Sequence, residues 1–301
     1  MRKVFEPAKS LGITIGFGKD DACLEGIHKA ALARYAELGG QIGMDMGYDV
    51  HGSSLAKGMQ FGKRTLAARR GVSYPYPQIK ADRRCVMILA FNGSPRQKGN
   101  TFSMLQAALE GAASAGAETR LVQLYPLDFK GCISCFSCKR KGGRHGVCAM
   151  KDDLSPILEM MKEADALIFG APIYYYNITP ELLALLHRFM FSNMLYTKEN
   201  RWQFKRVVPS AFIYTFGLGP EKTADIIKPF EMVHTRMGDM LGMPPEICCA
   251  ANALQFDDYS KYEADAFDPE AKKRYRAEEF PKELDNARAL GRRLALLALQ
   301  N

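Results

Sequence analysis

Apolar and polar residues alternate in blocks along most of this chain. Cys85-Val-Met-Ile-Leu-Ala-Phe91 is a continuous apolar run, with charge before it and Asn92-Gly-Ser94 after it. Such a run reads as a strand buried on both faces. Residues 100–115, rich in Ala and Leu, predict a helix, and Thr119–Gln123 a second strand. Asp152 and Asp153 are placed to cap a helix running to Ala164, and Ala166-Leu-Ile-Phe-Gly170 follows as a third strand. Thr179-Pro180 opens a helix to Phe191, with proline in the first turn where its missing N–H costs nothing. Val207–Phe216 predicts a fourth strand, 223–241 an amphipathic helix, Ile247–Ala251 a fifth strand and Pro281–Leu299 a closing helix. Strands that alternate with helices give a parallel sheet covered on both faces. The fold class expected is therefore α/β, a doubly wound five-stranded parallel sheet in the order 2-1-3-4-5. Ligands of such sheets bind beyond the C-terminal strand ends, beside the first strand.

The pattern changes before residue 84. Residues 71–84, GVSYPYPQIKADRR, have linker chemistry, which divides the chain into an N-terminal α/β extension (1–80) and a main domain (84–301). Residues 14–44 align without gaps on 213–243, pairing Phe17-Gly18 with Phe216-Gly217 and Gly43-Met44 with Gly242-Met243. The extension is expected to be either the remnant of a second module of the same kind or an unrelated helical addition. In both cases it is too small to bury a core alone and should dock elsewhere.

Composition narrows the class. The chain has 301 residues, 47% hydrophobic and 25% charged, which excludes disorder and low-complexity architectures. No apolar stretch approaches the roughly 18 residues of a membrane span, and the start does not read as a secretory leader. A cytoplasmic location without membrane partners is expected. The net charge of +8 is uneven: residues 1–84 hold 14 Lys/Arg against 8 Asp/Glu, and the rest 27 against 25. No basic stripe interleaved with aromatics appears, so nucleic acid is not an expected partner.

Three strand-end segments carry candidate chemistry. Asn92-Gly-Ser-Pro-Arg-Gln-Lys-Gly-Asn-Thr101 joins a buried strand to a helix. Gly93 and Gly99 permit tight turns, Ser94, Asn100 and Thr101 offer polar side chains, and Arg96 and Lys98 offer charge. With the free N–H groups of the helix start, the run suits a terminal phosphate. It is neither a Walker loop nor a G-x-G-x-x-G fingerprint. Ala171-Pro-Ile-Tyr-Tyr-Tyr-Asn-Ile-Thr-Pro180 follows the third strand. Pro172, Ile173, Tyr174, Tyr175 and Tyr176 read as a surface for a flat ring, or as a closure of the core. Phe216 and Gly217, in Tyr214-Thr-Phe-Gly-Leu-Gly219, let backbone approach a ligand or make a plain turn.

Four of the eight cysteines, Cys132, Cys135, Cys138 and Cys148, fall within 17 residues, whereas Cys23, Cys85, Cys248 and Cys249 lack ligand-like spacing and read as small buried hydrophobes. His145 and His234 have no carboxylate neighbour in sequence and read as solvated or satisfied histidines.

From about residue 85 to 300 the chain resembles the flavodoxin-like NAD(P)H-dependent FMN reductase family, and within it the iron–sulfur flavoprotein branch. The residues carrying this are Asn92–Arg96 with Gly99-Asn100-Thr101, the loop Gly131-Cys-Ile-Ser-Cys-Phe-Ser-Cys138 leading to Lys151-Asp-Asp153, and Ala171–Tyr174. The resemblance implies FMN, with its phosphate among Ser94, Arg96, Gly99, Asn100 and Thr101 and its ring against Pro172–Tyr175. It also implies that Cys132, Cys135, Cys138 and Cys148 ligate a compact cluster, since soft thiolates suit iron–sulfur centres. The nine basic-rich residues between Cys138 and Cys148 depart from the branch's spacing. A [4Fe–4S] cluster, zinc and no metal therefore stay open.

The function expected is an FMN-dependent oxidoreductase carrying electrons from NAD(P)H through flavin to a quinone, nitro compound, free flavin or iron–sulfur centre. The alternative is a non-enzymatic electron-transfer protein. Small-molecule donor and acceptor, and a homo-oligomer completing the flavin site, are the expected partners.

Overall fold

The computed structural model describes residues 13–15, 86–199 and 201–301. One sheet organises them. Its strands are β1 (Ile13–Ile15), β2 (Met87–Asn92), β3 (Glu118–Gln123), β4 (Ala166–Pro172), β5 (Ser210–Thr215) and β6 (Glu246–Ala250). They lie in the order β1-β3-β2-β4-β5-β6. From β3 to β6 every pairing is parallel, which is the expected flavodoxin-like 2-1-3-4-5 order. The sixth strand, β1, is antiparallel to β3 at the outer edge, with Ile13 opposite Val122. This pairing is the described part of the extension. The rest of it, with the proposed repeat, the boundary near residue 80, Cys23 and Cys85, lies outside the described residues.

The central strand shows why the sheet needs two covers. Met87, Leu89 and Phe91 point to one core, and Val86, Ile88 and Ala90 to the other. The first core is closed by α2 (Leu154–Glu163), α3 (Pro180–Asn193) and α5 (Glu231–Leu241). Across it Phe91, Phe169 and Phe212 stack strand to strand, with ring centroids 5.5 and 5.0 Å apart. The second core is closed by α1 (Asn100–Ser114) and α7 (Phe280–Ala298). These two helices cross backbone to backbone: a Cβ on Gly291 would fall 1.7 Å from the Ala108 carbonyl oxygen, and one on Gly111 1.8 Å from that of Arg288. Only glycine fits at this crossing, which fixes α1 and therefore the loop that precedes it.

The expected helix over 223–241 is two helices, α4 (Thr223–Ile227) and α5, separated by a 3-10 turn at Lys228–Phe230. Pro229 sits in that turn; it donates no N–H and crowds the preceding turn of a continuous helix. Helix α6 (Pro269–Glu278) was not anticipated, because it has no apolar stripe. Its start signal was present nonetheless. Asp268 accepts N–H bonds from Glu270 and Ala271, both at 3.0 Å, and Pro269 occupies the first turn. Asp153 occupies the N-cap of α2 without capping it; its carboxylate instead takes the Asp128 N–H at 2.8 Å.

Candidate functional site

The site begins at the C-terminal end of β2. Asn92 is fully buried and donates to Gln123 Oε1 (2.7 Å), while its own Oδ1 accepts from Ser94 N–H (3.0 Å). Ser94 Oγ then accepts from Arg96 N–H (3.1 Å). Gly93 N–H donates to Gly170 O (2.8 Å), and Thr179 Oγ1 donates to Gly93 O (2.6 Å). A Cβ on Gly93 would meet Leu182 Cβ at 2.8 Å and Thr179 Oγ1 at 2.9 Å, so the turn requires glycine. The loop is thus tied to β3, β4 and α3 before any ligand enters. Helix α1 starts from Gly99 with no side-chain cap and no acidic residue in its first turn. Its first N–H groups, with the positive end of the helix dipole, are left for an anion.

Ser94, Arg96, Asn100 and Thr101 line one hollow with Pro172, Ile173 and Tyr174 from the end of β4 and Phe216 and Gly217 from the end of β5. Its volume is about 150 Å³. Thr101 and Thr215 close its floor through a buried hydroxyl–hydroxyl bond of 2.8 Å. Gly99 lies in an adjoining basin of about 600 Å³ that shares Arg96 and Asn100 and adds Lys98 and Arg276. Tyr175 and Tyr176 are not among the lining residues. They form the tip of a short turn bridged between Tyr174 and Asn177, with left-handed backbones (φ 48° and 63°), and Tyr175 is 97% exposed. Two consecutive non-glycine residues in that conformation cost about 1 kcal/mol or more each, and such strain concentrates at functional surfaces. Burial raises the Tyr174 pKa, so its hydroxyl remains a donor at neutral pH.

A segment that the sequence reading did not assign separates the hollow from the basin. Leu254–Phe256, beyond β6, crosses the phosphate loop. Gln255 O accepts from Arg96 Nη1 (2.6 Å), and Leu254 O accepts from Asn100 Nδ2 (2.9 Å). Two backbone carbonyls thus engage the donors expected to meet phosphate. Helix α6 bonds to the residues on either side of this crossing: the buried Lys272 donates to Gly217 O, and Arg276 Nη1 donates to Asn100 Oδ1 (2.7 Å). Position at the C-terminal edge of the sheet and the aromatic run Phe256–Tyr262 were the signals available for it. The uncapped helix start, the glycine-only turn and the guanidinium N–H groups of Arg96 other than Nη1 fit the phosphate of FMN.

His234 is buried behind β5, with Nε2 2.7 Å from Tyr214 Oη, and burial brings its pKa down to about 4. It is a satisfied core histidine. His145 Nδ1 lies 3.1 Å from Cys138 O.

The cysteine loop lies between β3 and α2, with one 3-10 turn at Ser137–Lys139 and left-handed Ser134 and Phe136. Cys132, Cys135, Cys138 and Cys148 all line one hollow of about 20 Å³ and are free thiols. Cys132 and Cys135 are exposed and Cys138 is buried. A hydrogen bond from Ser137 lowers the Cys135 pKa. Lys139 Nζ is 3.3 Å from Cys138 Sγ. Beneath the loop the fully buried Arg188 leaves Nε and Nη2 without a hydrogen-bond partner. Among the described residues no three Cys, His, Asp or Glu side chains are gathered as a metal-ligand set. The donor chemistry of four thiols around one hollow, backed by two cations, nevertheless suits an anionic iron–sulfur group.

An open parallel sheet in this order, with a glycine turn leading from its first parallel strand into an uncapped helix, defines the flavodoxin-like α/β class. Residues 86–226 match the NADPH-dependent FMN reductase family, as the strand-end motifs led us to expect. The chain is 37% identical over 101 residues to an iron–sulfur flavoprotein of Methanocaldococcus jannaschii, covering 34% of this chain and 50% of that protein. It is 35% identical over 107 residues to an iron–sulfur flavoprotein of Archaeoglobus fulgidus, covering 36% and 50%. The chain spans about half the length of the curated relatives it matches. A solved NAD(P)H:quinone oxidoreductase from Methanothermobacter marburgensis shares the fold at 18% identity and a TM-score of 0.50, covering 70% of this chain and 98% of that one. Among the described residues no helix is long and apolar enough to cross a membrane.

Proposed function

We propose that the protein is an FMN-dependent oxidoreductase that takes electrons from NAD(P)H and delivers them to a small-molecule or iron–sulfur acceptor. The observation that carries this reading is the uncapped, acid-free start of α1 behind Asn92–Ser94, facing the same hollow as the ends of β4 and β5. When bound, FMN supplies hydride acceptance and onward electron release; the chain supplies position and environment. Ser94, Arg96, Asn100 and Thr101, with Gly99 at the helix start, hold the phosphate. Pro172, Ile173, Tyr174, Phe216 and Gly217 flank the ring. Tyr174 keeps its phenol proton at the edge of the site. Tyr175 and Tyr176 stand on the rim, where a dinucleotide, an acceptor or a second subunit can reach them.

The same reading places a [4Fe–4S] cluster on Cys132, Cys135, Cys138 and Cys148. Support comes from the shared hollow, the flanking cations and the kinship with proteins that carry the iron–sulfur flavoprotein name. Stopped-flow mixing of FMN-loaded protein with NADPH tests the enzymatic reading. Saturable bleaching of the flavin absorbance is expected. Slow bleaching linear in NADPH would establish the electron-carrier alternative.

A further inference from the structure

Arg188 is the largest fully buried side chain of the described structure, and its ion pair with Asp152 does not account for it. It projects from α3, and only Nη1 is engaged, donating to Asp152 Oδ2 at 2.5 Å and Lys130 O at 3.1 Å. The Arg188 side chain has no exposed surface, whereas that of Asp152 keeps 15%. A salt bridge to Asp152 needs one nitrogen. The other two, Nε and Nη2, are buried with no acceptor but the neighbouring Cys148 sulfur, and a buried donor left unmet costs about 1–3 kcal/mol. A chain that needed only the pair could use lysine, which carries fewer donors in need of partners. What Arg188 lines is the hollow bounded by the four cysteines, with Phe191 and Ser192 of the same helix. The Cys148 side chain is its neighbour there, lining the same hollow. A second cation, Lys139, lies 3.3 Å from Cys138 Sγ.

We propose that Arg188 is a positioning residue for an iron–sulfur cluster on this loop, its Nε and Nη2 donating to the sulfur shell at Cys148 and biasing the cluster toward its reduced form. The proposal rests on the reading that the loop holds such a cluster. Hydrogen bonds to cluster and ligand sulfurs, and positive charge in a dry setting, favour the more negative, reduced state and raise its potential. Asp152 sets the fork's orientation by holding Nη1 on the far side. Lysine at this position would retain the ion pair but lose the planar fork.

The test uses the full chain, reconstituted anaerobically with iron and sulfide, as wild type, Arg188→Lys and the double variant Arg188→Met/Asp152→Asn, which leaves no buried carboxylate behind. Iron and sulfide content, the cluster's midpoint potential, its electron paramagnetic resonance signal and thermal melting are measured together. Wild type is expected to take up about four irons and four sulfides per chain. Arg188→Lys should melt near the wild-type temperature, yet its reduced-to-oxidised ratio at fixed poise should fall by about tenfold or more, equivalent to 59 mV for one electron. The double variant should show at least that shift or lose the cluster. Full clusters at an unchanged midpoint in both variants would overturn the proposal while leaving the cluster reading intact. Absence of iron and sulfide uptake by the wild type would overturn both.

Discussion

The two loops at the edges of this domain are built in opposite ways. The Asn92–Thr101 loop is ten residues long and is locked by its neighbours: Gly170 and Thr179 fix its backbone, Gln123 holds the Asn92 side chain, and the carbonyls of Leu254 and Gln255 occupy its long donors. The cysteine loop has little regular structure, two left-handed non-glycine residues and two exposed thiols, and it overlies a buried guanidinium from α3 that leaves two nitrogens without an oxygen acceptor. The first site is organised by the fold. The second holds chemistry that the fold alone leaves unsatisfied. The difference follows from how each is anchored, because a strand-to-helix turn inherits the rigidity of both elements, whereas a long connection must draw its order from what it binds.

Breaking the comparison begins with the cysteines. Cys138→Ser should abolish iron and sulfide uptake outright, while FMN affinity stays within about twofold; retained iron and sulfide would show that the loop does not hold the cluster through that thiol. The next largest effect lies away from both loops. Gly291→Ala drives a methyl group into the Ala108 carbonyl and should cost about 3 kcal/mol, lowering the melting temperature by roughly 6–12 °C. Because α1 carries the phosphate loop, FMN affinity should fall with it and iron uptake should not. On the proposed reading, Arg96→Ala removes one charged contact to phosphate. It should weaken FMN about ten- to a hundredfold, as charged hydrogen bonds of about 1.5–3 kcal/mol predict, and leave riboflavin binding unchanged.

The smallest effect is a pH dependence. His234 is neutral in the fold, with its pKa brought down to about 4, whereas the unfolded side chain binds a proton near 6.5. Its contribution is therefore whole above about pH 6.5 and is lost as pH falls toward 4. With allowance for partial solvent screening, the loss should be about 2 kcal/mol, read as a decline in urea midpoint that His234→Gln flattens.

Much of the fold was legible because the apolar runs of β2 and β4 and the polar starts of α1 and α3 are local signals that tertiary packing reinforces. Helix α6 was not, because its partners are polar: Lys272 reaches Gly217 O and Arg276 reaches Asn100, contacts that leave no periodicity behind. The same holds for the site. Asn92–Thr101, Pro172–Tyr174 and Phe216-Gly217 announced themselves as strand-end motifs, and the structure brings them around one hollow. Tyr175 and Tyr176 belong to the same apparent motif, yet the turn at Tyr174–Asn177 carries them outward. The crossing of Leu254–Phe256 over Arg96 joins residues about 160 positions apart; the aromatic run that follows marks the segment but not its partner. Arg188 was equally silent, since one arginine in an amphipathic helix reads as surface until its burial is seen.

The central claim is that the turn from Asn92 to Thr101 binds the phosphate of FMN. Calorimetric titration of flavin-free protein with FMN and, separately, riboflavin tests it most directly. The account predicts saturable heat with FMN and binding of riboflavin weaker by about a hundredfold or more, the worth of two charged hydrogen bonds of about 1.5–3 kcal/mol each. Equal affinity for the two ligands, or no heat with FMN, would contradict it.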